Sequence, residues 1–302
     1  MDNMELNKPK DSRQPVVLGR TTIYDGSRIQ NGESCLWVDP LSGVESDFPK
    51  EKCKVFLTHV PKSWNKSLDG ADVFIGEKDK RLLKGQGNFL RCLFRQEGFP
   101  NAEQLPLECA MEPYIGENTV VSVRNGEKFF VGQCEVRCIH TPGPTPGHTC
   151  LYLPKEQVLF TGELLSQTMG IRVWKGAPHG LEDWMNSLEK IKALPVKQIF
   201  PVWNEPADFS ERVDSMIRNC YFRVLELLRL VQDQPGLTAY ELASDFSRKG
   251  IQWENLPLEE KKKAMNETLA YLNYLRERDY VRVREGEDGL VNLPGSRRLT
   301  DI

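Results

Sequence analysis

The chain has 302 residues, enough for two domains with cores of their own, and its 39% hydrophobic and 27% charged residues are those of an ordinary globular protein. A formal net charge of -3 leaves no basic excess, which argues against a nucleic-acid or acidic-lipid partner. The polar opening segment 1–15 lacks the apolar run of a secretory signal and no stretch reaches membrane-spanning length, so the expectation is a cytoplasmic protein that does not enter a membrane.

The 8 cysteines are scattered without a C-x-x-C pair, which fits reduced core thiols better than disulfides or a zinc ribbon. Beyond the tail, Val16 to Leu18, Thr21 to Tyr24 and Ser34 to Val38 read as strands, the last ending at Asp39-Pro40. Lys54 to His59 is a further strand that stops at a loop, and Ala71 to Ile75 returns as a strand before a helix near Asp79 to Arg95. Strands alternating with helix predict layered α/β architecture. From Thr119 to Leu165 the strands are short, and Asn125-Gly126 between apolar runs predicts a hairpin within an antiparallel meander. Apolar residues at helical spacing predict a helix over Leu181 to Leu194, and Gln198 to Pro201 reads as a last short strand.

From about Ser210 the pattern turns helical: a long amphipathic run from Val213 to Val231 stops at Pro235-Gly236, and Thr238 with Glu241 has the spacing of a capping box. A third helix covers Leu258 to Arg278, followed by two strands around Glu285-Gly286-Glu287-Asp288-Gly289. Three helices and a β-ribbon are the plan of a winged helix. The expected organisation is a tail over 1–15, an α/β domain over 16–209 and a winged-helix-like domain over 210–302. Beyond residue 220, 13 Lys/Arg face 14 Asp/Glu and the ribbon turn is acidic, so this part is expected to pack, dimerise or cover a site rather than read DNA.

Four segments carry a family resemblance: Leu57-Thr58-His59-Val60-Pro61-Lys62-Ser63-Trp64, the loop Thr141-Pro142-Gly143-Pro144-Thr145-Pro146-Gly147, the turn Phe160-Thr161-Gly162-Glu163, and Pro201-Val202-Trp203. In order and spacing they resemble the motifs of the metallo-β-lactamase superfamily, near the glyoxalase-II-like hydrolases and the lactamase-like-2 branch with its C-terminal winged helix. The resemblance spans about residues 16 to 205. It implies an αββα sandwich, a hydrolase-like ancestry and a cleft where histidines and a bridging carboxylate hold two zinc ions that activate a water.

Most of those ligand positions are substituted here. His59 stands at the first, but Pro61, Ser63 and Trp64 occupy the next three, Pro144 stands for the loop histidine, Glu163 for the bridging aspartate and Trp203 for the late histidine. Proline and indole offer a metal no side-chain lone pair, and Lys62 would repel one. No metal or other cofactor is therefore expected; if one is held, His59 and Glu163 would hold it, as zinc or iron in an altered site. The expected cleft gathers His59, Trp64, Trp203, Pro144, His148 and His179, with Glu163 as the candidate acid/base. Each has a simpler role as well: a bonded strand-end residue for His59, a turn carboxylate for Glu163, cavity filling for the tryptophans and solvent exposure for His179. The leading expectation is a ligand-binding or regulatory pseudoenzyme for an unknown small molecule, with a homodimer open. The alternatives are a hydrolase of esters or thioesters with an altered site, and a winged-helix regulator with a ligand-sensing domain.

Overall fold

The structure, a computed structural model, describes residues 16–24, 28–40, 53–61, 70–106, 118–166, 172–177, 179–200, 209–246 and 252–298. Seven strands form the first sheet in sequence order: β1 (Val16–Leu18), β2 (Thr21–Tyr24), β3 (Arg28–Asn31), β4 (Ser34–Val38), β5 (Cys53–Leu57), β6 (Asp72–Gly76) and β7 (Val120–Val123). It is antiparallel from β1 to β4 and parallel from β4 to β7. The second sheet contains β8 (Lys128–Val131), β9 (Cys134–His140), β10 (Thr149–Leu153), β11 (Val158–Phe160) and β12 (Gln198–Phe200), in the order β12-β11-β10-β9-β8.

The two sheets face each other across a core of Ile23, Ile29, Leu36, Phe56, Val136, Leu151, Leu153 and Phe160. Strand β9 alternates buried and half-buried residues, as expected for one inner face, whereas β10 is buried at every position because helices cover its other side. Outside the first sheet, Val55, Leu57, Val73 and Ile75 pack beneath Leu83, just past α1 (Glu77–Leu82). Outside the second, Cys150, Tyr152 and Leu159 pack with α3 (Gly180–Lys192). The result is the αββα sandwich expected from sequence.

Three features differ from the sequence-based expectation. Strand β3 has no counterpart among the expected elements. The single helix near Asp79 to Arg95 is two, α1 and α2 (Phe89–Gln96), because the chain turns through positive φ at Gly85 and Gly87, a conformation that ends a helix. Asn125-Gly126 does not join a hairpin. Here β7 lies parallel to β6 in the first sheet while β8 pairs with β9 in the second, so the turn carries the chain between sheets. It does so by capping β9: the Gly126 amide donates to the Cys138 carbonyl at 2.8 Å, and the Asn125 side chain accepts the His140 amide at 2.9 Å. The tight hairpin is at Gly132-Gln133, between β8 and β9.

Past residue 208, α4 (Phe209–Asp233), α5 (Ala239–Phe246) and α6 (Leu258–Glu277) lead to a three-stranded antiparallel sheet, β13 (Leu237–Thr238), β15 (Leu290–Pro294) and β14 (Val281–Glu285). The Thr238–Glu241 capping box forms reciprocally, with the Thr238 amide donating to Glu241 at 2.7 Å and the Glu241 amide to Thr238 Oγ1 at 3.3 Å. These helices share one continuous core with α2 and α3, in which Phe94, Phe99, Leu188, Val224, Leu242 and Leu269 all take part. At the joint, the buried Glu97 carboxylate binds Arg276 of α6 through two hydrogen bonds of 2.6 and 2.8 Å, and Arg276 also donates to Asn292 on β15. Gly98 lies so close to Thr238 that a Cβ would come within 2.7 Å of its side chain, and Gly289, in the β14–β15 turn, packs on the Gln96 carbonyl.

Candidate functional site

The ends of β4, β5 and β11 and the loop between β9 and β10 meet at one edge of the sandwich, where the Thr149 amide of the second sheet donates to the Thr58 carbonyl of the first at 2.8 Å. Asp39, just past β4, turns its carboxylate to Thr58, accepting the backbone amide at 2.8 Å and the hydroxyl at 2.5 Å. Burial raises the pKa of Asp39 above its ordinary value, opposed by His59 and by these two bonds. Thr58 Oγ1 also lies 2.8 Å from His59 Nδ1. The single Thr58 hydroxyl proton goes to Asp39, so Thr58 accepts from Nδ1–H and His59 presents Nε2 to the opening. There it faces Glu163 Oε1 at 3.6 Å, the two side chains being 16% and 32% exposed.

Glu163 owes its place to a firmly anchored turn. Gly162 has φ +52 and sits where a Cβ would meet Thr58 Oγ1 at 2.2 Å and His148 Nε2 at 2.9 Å. The indole of Trp184 on α3 donates to the Leu164 carbonyl at 3.1 Å, and Arg212 on α4 to the Leu165 carbonyl at 2.8 Å. His148 lies fully buried with its ring stacked on that of His59, centroids 6.0 Å apart. Its Nδ1 is 2.9 Å from Thr141 Oγ1, while its Nε2 has no hydrogen-bond partner among the described residues. Burial, with a smaller contribution from His59, holds its pKa well below the ordinary histidine value, so it is neutral.

The Pro/Gly loop is buried and held from three sides. Ser187 donates to the Pro142 carbonyl at 2.7 Å, Trp174 to the Pro144 carbonyl at 3.0 Å, and Gly143 packs against Trp184. Under the loop, Asp79 of α1 is fully buried and accepts the Gly147 amide at 2.6 Å and the Thr145 hydroxyl. Burial raises its pKa to about 6 against the opposing pull of these bonds.

The structure therefore brings His59, Glu163 and His148 together and places Pro144 in the wall of the same loop. His179, grouped with the cleft from sequence, goes elsewhere: it is exposed at the start of α3, where its Nδ1 pairs with Glu277 of α6 at 2.9 Å, and Glu277 raises its pKa. Trp64, Trp203, Lys62 and Ser63 lie outside the described residues. Sequence reading missed Asp39, Thr58 and Asp79. Asp39 could have been found as a carboxylate at the carboxyl end of a strand, where α/β folds place their ligands, but Asp79, between lysines in a charged run, carries no such signal.

A two-metal centre needs donors that converge, and among the described residues the donors do not fit one. Pro61 and Pro144 supply none. Among the described residues, the one group of three His, Cys, Asp or Glu side chains whose ligand atoms lie within 4.8 Å of one another is His179, Glu182 and Glu277, away from the cleft. There Glu182 is already paired with Arg278 at 2.7 Å. His59 and Glu163 can exchange a proton with each other or with a bound molecule, oriented by Thr58 and Asp39.

Comparison with known proteins agrees with the fold. Residues 88–203 match the family described as Metallo-beta-lactamase superfamily. A Beta-lactamase-like protein 2 homolog from Caenorhabditis elegans is 29% identical over 123 residues, 40% of either chain. A Hydroxyacylglutathione hydrolase from Brucella abortus is 39% identical over 74 residues, 24% of this chain and 28% of that one. The matches thus cover less than half the length of these relatives. A metallo-beta-lactamase family protein from Thermus thermophilus superimposes with a TM-score of 0.69 at 22% identity, over 93% of this chain and 97% of the other. A Beta-lactamase domain protein from Burkholderia ambifaria does so with 0.70 at 14%, over 94% and 90%.

Proposed function

We propose that this chain, which carries a metallo-β-lactamase superfamily domain and the αββα fold of that superfamily, is a hydrolase-like protein that has lost the dinuclear metal site and works as a ligand-binding or regulatory pseudoenzyme. The observation that carries the reading is the donor set. His59 and Glu163 persist 3.6 Å apart, prolines stand at two ligand positions, and no third donor converges with the pair among the described residues. Zinc chemistry of the superfamily kind needs more ligands than this, together with an open position for water. The neutral, buried His148 beside the pair supports a retained pocket.

The test is turnover of a hydroxyacylglutathione thioester by purified protein, with and without added zinc. No turnover above the uncatalysed rate is expected in either condition. Zinc-dependent turnover abolished by His59→Ala would overturn the reading.

A second reading, a hydrolase with an altered site, draws on the orientation of His59: a base held by Thr58 and Asp39 has the plan of a positioned general base. It requires Glu163→Gln to abolish an esterase or thioesterase rate that the folded wild type shows. The regulator reading is weakened by the ribbon turn, which is acidic and packs on residues 96 and 98 rather than standing free to meet DNA. Among the described residues no helix is long and apolar enough to cross a membrane. The ligand is taken to be a small molecule reaching His59 and Glu163 from the sheet edge.

A further inference from the structure

Asp79 has a role that neither acid/base work nor ordinary packing accounts for. It is fully buried, and among the described residues no ion pair reaches it. Its carboxylate instead collects donors from both loops that border the cleft: the Val60 amide, next to His59, and the Gly147 amide and Thr145 hydroxyl of the Pro/Gly loop. The backbone is shaped to permit this. A Cβ on Gly147 would come within 2.3 Å of the Asp79 amide nitrogen, and one on Gly76, just ahead of α1, within 1.9 Å of the Gly147 carbonyl oxygen. The Gly147 carbonyl is tied in turn to Thr149 Oγ1 at 2.9 Å, and the Thr149 amide to the Thr58 carbonyl. Two glycines, one carboxylate and two threonines thus stitch the β5 end, α1 and the β9–β10 loop together.

Burying an ionisable carboxylate without a cation is costly, so such a group persists where the donors it satisfies matter more. In a two-metal site the same two loops would be cross-linked by the ions bound between them. Resting on the reading that this chain has lost those ions, we propose that Asp79 is a positioning residue that cross-links the two cleft loops in their place and keeps the pocket at His59 and Glu163 formed without metal. It touches no ligand; it acts through Val60, Thr145 and Gly147.

Amide hydrogen exchange on the full chain tests this, comparing wild type, Asp79→Asn and a core control, Val73→Ala, whose side chain is buried outside the first sheet. Asparagine keeps the size but turns an NH2 group toward donors. The expected result is exchange at Val60 and over 143–149 that is at least about tenfold faster in Asp79→Asn than in the control, after correction for any common change in global stability. Loop protection that falls only in step with the rest of the molecule would overturn the proposal. If Asp79→Asn does not fold, Thr145→Val removes a single donor and carries the same comparison.

A parallel arm adds EDTA to the wild type. Unchanged loop protection is expected. If EDTA alone loosens 143–149, the premise of a lost metal site fails, and the exchange of Asp79→Asn still decides separately whether the carboxylate holds the loops.

Discussion

Two groups of buried polar side chains, one at the joint between the sandwich and the C-terminal helices and one at the cleft, are built on opposite terms. At the joint, Glu97 meets a guanidinium in bidentate geometry, Arg276 is shared with Asn292, and Asn292 donates onward to the Leu237 carbonyl at 3.1 Å, so charge and donors are matched within the chain. At the cleft, burial outweighs compensation: the carboxyls of Asp39 and Asp79 are pushed up, the His148 imidazole is pushed down, and His148 Nε2 has no partner among the described residues. Structure alone explains the joint. A cluster of under-compensated groups around an opening is what a binding site looks like, and here it surrounds His59 and Glu163.

The largest expected effect lies at the joint. Arg276→Ala leaves the Glu97 carboxylate buried without its cation and is expected to cost about 3–5 kcal/mol in urea unfolding; a loss below about 1 kcal/mol would put the joint on the same footing as a surface pair. At the cleft, the contrast appears as pH dependence. Asp79 has a folded pKa of about 6, above its ordinary value of 3.8, so between these the folded chain holds more protons and the contribution of this group to stability grows as pH falls. Wild type should therefore gain on Asp79→Asn as pH drops from about 6.5 to about 4, by roughly 3 kcal/mol at most. A flat difference in midpoints across that range would contradict the assignment.

A smaller loss, about 1–3 kcal/mol, is expected for Gly76→Ala, whose Cβ would collide with a carbonyl that Thr149 already holds. The smallest is Glu163→Gln. Its 3.6 Å pairing with His59 is partly open to solvent, so the change in unfolding free energy should stay within about 1 kcal/mol while ligand binding at the cleft weakens.

The architecture was largely legible in the sequence because hydrophobic period and turn chemistry are local: β9 to β12, α3, the long α4 and the Thr238–Glu241 capping box lie where pattern and spacing put them. What was not legible depends on partners distant in sequence. Asn125-Gly126 has the composition of a hairpin, yet its side chain and amide are taken up by β9, and only the three-dimensional path shows it changing sheets. His179 reads like a cleft histidine until Glu277, far along the chain, claims it. Asp79 looks like a solvated helix residue, because nothing in Lys78-Asp79-Lys80 reveals that Thr145 and Gly147 will cover it. His59 and Glu163 were picked out from motif position, and the structure places them 3.6 Å apart.

Whether a superfamily fold works here without its metal pair is decided by elemental analysis of the protein purified without chelator and dialysed against metal-free buffer. Well under about 0.1 equivalent each of zinc and iron per chain is expected. About two equivalents, retained through dialysis and released only with loss of structure, would contradict it.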